Sequence, residues 1–158
     1  MILYFLRHGH AEPGGMIDDF DRELTTEGVL RLRVAAKVMH SLEMNVTRVL
    51  TSPRVRARQT ADIAAEAFDL TAEVREELNF SFDVAKLAKL TAEFTPQDNL
   101  MLVGHEPTFS SVVRRMTGAD IAMKKGGLVR VDLYDMASMR GTLVWLIAPR
   151  VFDTLDER

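Results

Sequence analysis

A chain of 158 residues, 47% hydrophobic and 27% charged, has the makeup of one ordinary globular domain, here 1–158: enough for a full core, too little for two typical domains. The formal net charge of -3 argues against nucleic-acid binding by field alone, and no apolar run reaches the roughly 18 residues that span a bilayer, so neither nucleic acid nor membrane is an expected partner. The lack of Cys excludes disulfides, thiolate metal sites and a cysteine nucleophile; with no secretory leader legible, a cytoplasmic location is expected.

The chain begins with six apolar or aromatic residues, Met1 to Leu6, that run straight into Arg7, His8 and Gly9. An unbroken apolar run of this length predicts a strand buried on both faces. In an open α/β sheet, ligands sit beyond the carboxyl ends of the strands, so Arg7 and His8 fall where chemistry is done. The Arg-His-Gly triplet alone carries little weight, since it is expected in about one chain in a hundred. Its position is what raises it. His10 to Glu23, with Pro13, Gly14, Gly15 and the acidic cluster Asp18, Asp19 and Asp21, predicts a loop whose carboxylates form a solvated face.

Thr25 and Glu27 open a helix that carries Val29, Leu32, Ala36, Met39 and Leu42 on one side and stops near Glu43, with His40 on the surface. Val46 to Thr51 predicts the second strand, and Ser52-Pro53 the start of the next helix. There Arg56, Thr60, Ile63 and Ala67 form an inward stripe, whereas Arg54, Arg58, Asp62 and Glu66 form a solvated one. Arg56 is thus a cation facing the core. It requires an opposite charge, either an anionic ligand or a loop carboxylate.

Ala72 to Glu76 predicts a short third strand, Phe82 to Phe94 a helix, and Thr95 to Asp98 a turn. Asn99 to Gly104 repeats the opening pattern, an apolar run ending on Gly104 and His105, and Pro107 begins a helix with Phe109, Val112, Val113 and Met116 inside. Lys124 to Gly127 is a basic, solvated loop. Leu128 to Tyr134 alternates as a strand with one wet face, Thr142 to Ile147 closes the sheet, and Asp153 to Arg158 is expected to fray.

Three strand ends therefore deliver Arg7 with His8, Arg56 from the following helix, and His105 to one sheet edge. Two arginines and two histidines converging without a matching carboxylate suit a dianionic tetrahedral group, and phosphate is the obvious one. The chain has no Gly-x-x-x-x-Gly-Lys loop and no clustered Asp pair for magnesium, so no cofactor or metal is expected. A neutral histidine nitrogen attacks phosphorus in line and splits one transfer into two easier ones. His8 has the position for that attack, Arg7 and Arg56 for gripping phosphoryl oxygens, and His105 for one more hydrogen bond.

These residues resemble the histidine phosphatase superfamily, the group that includes phosphoglycerate mutases and acid phosphatases. The likeness rests on four ordered motifs: Leu6-Arg7-His8-Gly9; Leu24-Thr25 with Gly28; Ser52-Pro53 with Arg56-Ala57 and Gln59-Thr60; and Gly104-His105. It implies a three-layer α/β/α sandwich with a mostly parallel central sheet, a phosphoryl intermediate on His8, and a phosphate pocket of Arg7, Arg56 and His105, with Gly9 and His10 beside the substrate. Within the family the chain looks most like the small SixA-type branch, which acts on phosphohistidine in proteins. It is minimal, with only Phe80 to Asn99 between the third and fourth strands, and His105-Glu106-Pro107 resembles that branch's His-x-Pro. Where larger relatives carry a proton-donating glutamate, this chain has Leu78-Asn79-Phe80-Ser81, which suits a P–N substrate that needs less acid help. Glu77, Asp83 and Glu106 stay open as donors. His10 stands where relatives often have an acidic or amide residue, and its role is open between substrate contact and rim.

The expected partner is accordingly a phosphate-bearing substrate, a phosphohistidine protein first. The alternatives are a phosphomonoesterase for a small metabolite or sugar phosphate, a phosphate- or phosphohistidine-binding module without turnover, and a metal hydrolase built on His8, His10 and His105.

Overall fold

In the computed structural model, which describes residues 1–157, a single six-stranded sheet separates two layers of helices. Its strands are β1 (Ile2–Arg7), β2 (Arg48–Thr51), β3 (Ala72–Val74), β4 (Asn99–Gly104), β5 (Leu128–Asp135) and β6 (Arg140–Ile147), in the spatial order β3-β2-β4-β1-β5-β6. The pairs from β3 to β1 are parallel; only β5 is antiparallel to both its neighbours. This is the expected sandwich with a mostly parallel sheet.

Successive side chains on a strand point to opposite faces, so β1 feeds two cores. Leu3 and Phe5 pack with Phe109, Val112 and Val113 on one face, under α3 (Val84–Thr91) and α4 (Thr108–Thr117). Tyr4 and Leu6 pack with Met39, Ala57, Ala61 and Phe152 on the other, under α1 (Thr26–Ser41), α2 (Val55–Glu66) and α5 (Pro149–Asp156). Burial on both faces is why β1 reads as a continuous apolar run. Each large side chain so buried contributes roughly 1.5–3 kcal/mol.

Several boundaries differ from the sequence expectation. α2 starts at Val55, with Arg54 at its N-cap, rather than at Ser52-Pro53. The Ser52 hydroxyl instead faces His105. The inward side of α2 is Arg56, Ala57, Thr60, Ala61, Ala64 and Ala65, whereas Ile63 and Ala67 are only half-buried, because the small alanines let the helix lie close to the sheet. α3 is shorter than Phe82 to Phe94, since the Asp83 carboxylate caps it by accepting from the Lys86 N–H at 2.9 Å. Leu42, expected inside, lies past the end of α1 and is exposed.

The expected frayed tail is a helix through Asp156; Arg158 lies outside the described residues. Phe152 is buried, and α5 is tied to α1 by Arg31–Asp153 and Lys37–Asp156 ion pairs, each 2.7 Å. A short segment near the end of a chain orders when tertiary contacts hold it.

The first turn of α1 fixes the loop that leaves β1. Thr25 caps the helix through its hydroxyl, which accepts from the Gly28 N–H at 2.9 Å, and its own N–H donates to the His10 carbonyl at 3.0 Å. A Cβ on Gly28 would lie 2.3 Å from that same carbonyl oxygen, so only glycine permits the approach. Gly28→Ala is therefore expected to destabilise the fold by about 1–3 kcal/mol, read as a lower urea midpoint with an unchanged denaturant slope.

Candidate active site

The adjacent strands β2, β4 and β1 end on Ser52, His105 and His8. Backbone hydrogen bonds continue one step past the strands: the Ser52 N–H donates to the Val103 carbonyl and the His8 N–H to the Gly104 carbonyl, both at 3.0 Å. Three polar side chains are thereby held in register at the carboxyl edge of the sheet, where open α/β folds place their ligands. The His8 and His105 ring centroids are 5.2 Å apart.

His8 is 6% exposed. Its Nδ1 lies 2.8 Å from the Gly9 carbonyl, a contact only a protonated nitrogen satisfies, so the hydrogen-bond network assigns the proton to Nδ1. Nε2 then keeps its lone pair and accepts weakly from the Arg56 Nε–H at 3.4 Å. Burial, then the fields of Arg56, Arg7 and Lys125, push the His8 pKa down to about 4 against the opposing Gly9 bond. Gly9 is itself clamped: its N–H donates to the Thr60 hydroxyl at 3.1 Å, that hydroxyl donates to the Arg56 carbonyl at 2.7 Å, and a Cβ here would meet Leu32 at 2.6 Å.

Arg56 is 3% exposed, so it does face inward as its helical position predicts. Its counter-charge is the loop carboxylate, which corrects the reading of a pocket without one. Asp19, in a 3₁₀ turn at Asp19–Asp21, accepts from Arg56 through its carbonyl at 2.7 Å and its carboxylate at 3.2 Å. The same carboxylate pairs with Arg54 at 2.6 Å and Arg22 at 2.9 Å. Hydrogen bonds from Arg22, then Arg56 and Arg54, hold the Asp19 carboxyl below the usual range. Asp18 and Asp21 stay exposed, so only Asp19 departs from the expected solvated face.

Arg54 is also corrected. It lies over the Phe80 ring at 3.6 Å and donates to the Asn79 side chain at 2.7 Å, rather than standing free in water. Phe80 in turn meets His105 edge-on at 4.9 Å. Because Arg54 is the N-cap and Arg56 the second helical residue, helical spacing does not govern their relative directions. An aromatic in the β3–β4 connection was the available signal for Phe80; Asp19 stood out only as one of three loop acids and Ser52 only as part of the Ser52-Pro53 motif, with nothing local to show what either faces.

His105 is 1% exposed, and its Nε2 lies 2.7 Å from the Ser52 hydroxyl. Burial, then His8, Arg56 and Arg54, push its pKa down to about 3. Arg7 donates from Nη1 to the Met123 carbonyl at 2.7 Å. Among the described residues, the buried side-chain polar atoms without a partner are Arg7 Nε and His105 Nδ1. Orphan buried polar atoms are rare and costly. Two such atoms at the ends of adjacent strands, each from a residue singled out for an oxyanion, suit a tetrahedral ligand that supplies the missing acceptors.

Of the remaining residues, His10 is exposed and its Nδ1 lies 3.0 Å from the Thr25 hydroxyl, which places it on the rim beside α1. Asp83 is occupied as the cap of α3, and both Glu106 carboxylate oxygens accept from Ser110, at 2.9 and 2.6 Å. Glu77 is half-buried. No group of three or more His, Asp or Glu among the described residues is arranged to hold a metal ion, and no described helix is long and apolar enough to cross a membrane.

Both histidines bind protons more weakly folded than unfolded, since their folded pKa values of about 4 and 3 lie below the ordinary 6.5. Above pH 6.5 both states are neutral; below it the unfolded chain takes up more protons, so stability falls as the pH drops toward 4, by about 1.4 kcal/mol per pH unit for each ring. Imidazole NMR resonances of His8 and His105 are expected to hold their neutral positions down to pH 5. Titration of either near 6.5 would contradict this geometry.

The family model of the histidine phosphatase superfamily (branch 1) matches residues 3–82. The chain is 34% identical over 142 residues to an uncharacterised protein of Picosynechococcus sp., covering 82% of this chain and 83% of that one. It is 26% identical over 155 residues to the phosphohistidine phosphatase SixA of Escherichia coli, covering 94% of each. A solved structure of the protein histidine phosphatase SixA complexed with tungstate superposes with a TM-score of 0.83 at 28% identity, covering 96% of this chain and 99% of that one. The chain with this sheet edge and these motifs belongs to the histidine phosphatase superfamily.

Proposed function

We propose that this protein is a phosphatase that removes the phosphoryl group from phosphohistidine in a protein, through a covalent intermediate on His8. The observation that carries this reading is the state of His8: a buried, neutral ring whose Nδ1 is tied to Gly9 and whose Nε2 lone pair meets only a guanidinium. In the first step Nε2 attacks phosphorus in line, the P–N bond to the substrate breaks, and the departing imidazole takes a proton from solvent. Water then attacks phosphorus, the P–Nε2 bond breaks, the water's proton passes to solvent, and phosphate leaves with His8 neutral again. Arg7, Arg56 and His105 hold the phosphoryl oxygens; Arg7 Nε and His105 Nδ1 gain the acceptors they lack. Binding a dianion among Arg54 and Arg56 requires it to displace or share the Asp19 carboxylate.

Two features favour phosphohistidine over an ester. Exchange of one P–N bond for another between two imidazoles is nearly balanced, and a nitrogen leaving group needs little acid help. Three carboxyls near the site are already engaged: Asp19 is held below its usual range by the arginines around it, Asp83 caps α3 and Glu106 accepts from Ser110. The SixA proteins similar to this chain carry the same activity in their names.

Rapid quenching during turnover of a phosphohistidine-bearing phosphotransfer domain is expected to trap an acid-labile phosphate on His8. His8→Ala should abolish turnover, and Arg56→Ala should lower kcat about 10²–10³-fold, as for loss of one oxyanion donor. Phosphate recovered on another residue, or a substrate label that persists, overturns the reading. Large losses from amide substitutions at Glu77 or Asp83 with an ester substrate would favour a small-molecule phosphomonoesterase instead.

A further inference from the structure

Beside Arg7, at the start of α5, lies a cleft of about 430 Å³ lined by Arg7, His10, Arg31, Lys124, Lys125 and Arg150. It shares Arg7 with the candidate site, and the loop before β5 ties the two together through the backbone. There the Gly126 N–H donates to the carbonyls of both Arg7 and His8, at 3.1 and 3.0 Å, and the Arg7 N–H donates to the Gly127 carbonyl at 3.0 Å. That anchoring puts Lys125 close enough for its charge to act on His8. Arg31 is paired with Asp153 at 2.7 Å, but Lys124, Lys125 and Arg150 are exposed and form no ion pair among the described residues. A concentration of unpaired cations on a chain of net charge -3 is a local field, not an average property.

Resting on the reading of the protein as a phosphohistidine phosphatase, we propose that this cleft docks acidic residues flanking the phosphohistidine of its protein substrate. The form of the site selects that occupant. A compact second phosphate calls for buried, prearranged donors, whereas here the unpaired cations are exposed, flexible side chains spread over a loop and a helix end. Exposed charges of this kind steer and orient a complementary protein surface more than they tighten a small ligand. The cleft is also open, so an extended segment can lie along it while its phosphohistidine reaches His8.

The test compares three substrates: phosphoramidate, a phosphohistidine peptide flanked by Asp and Glu, and the same peptide flanked by Ala. Wild type is expected to favour the acidic peptide in kcat/KM between about three- and tenfold, with the preference fading as salt rises. Lys124→Glu with Arg150→Glu, leaving Lys125 in place beside His8, should erase or invert the preference while turnover of phosphoramidate is unchanged. Equal kcat/KM for the two peptides, or a preference that survives the double substitution, overturns the docking site. Inhibition by pyrophosphate that the double substitution relieves, without any peptide preference, overturns it in favour of a small-anion subsite. Failure to hydrolyse any of the three substrates instead overturns the phosphohistidine reading itself, so the two failures are distinguishable.

Discussion

A guanidinium enclosed at the edge of a sheet has to be matched by negative charge, and Arg56 is the point around which this site is arranged. Only 3% of it is exposed, so its desolvation is unfavourable unless acceptors surround it. In the free protein the acceptors come from Asp19, by carbonyl and carboxylate together, and more distantly from His8 Nε2. The loop that follows β1 is thereby drawn across the pocket. It is held there by the charge of Arg56.

The same burial sets the chemistry of the two imidazoles. A cation beside His8 disfavours a second positive charge, and exclusion of water disfavours it further, so the ring stays neutral with one nitrogen unprotonated. His105 obeys the same logic, backed by Ser52 from the neighbouring strand. Preorganisation comes from the scaffold rather than from flexible side chains. Gly9 is clamped to Thr60, Thr60 to the Arg56 carbonyl, and the start of α1 to the His10 carbonyl. An error in any of these contacts would move His8 Nε2.

Much of this was legible in the chain itself. Unbroken apolar runs located β1 and β4 because strands buried on both faces cannot alternate, and Arg7, His8 and His105 followed from where those runs stop. Arg56 was legible because it shares a helix side with Thr60 and small residues. Asp19 and Arg54 were not, for a common reason: the contacts that place them join distant segments, Asp19 meeting Arg54 and Arg56 across 35 and 37 residues and Arg54 meeting Asn79 across 25. Local periodicity carries no trace of such contacts. A loop carboxylate looks the same whether water or a guanidinium faces it. Likewise, α5 depends on Phe152 and on ion pairs to α1, and proximity to the chain end gave no sign of them.

By itself, then, the order of residues determined the alternation of strands and helices and which polar groups stand at strand ends, since both follow from short-range patterns of hydrophobicity and turn chemistry. Only the tertiary structure decided which charges answer one another. Burial, the approach of Asp19 to Arg56, the orphan nitrogens of Arg7 and His105, and the neutral state of His8 all depend on the distance between segments, and that distance exists only once the sheet has assembled.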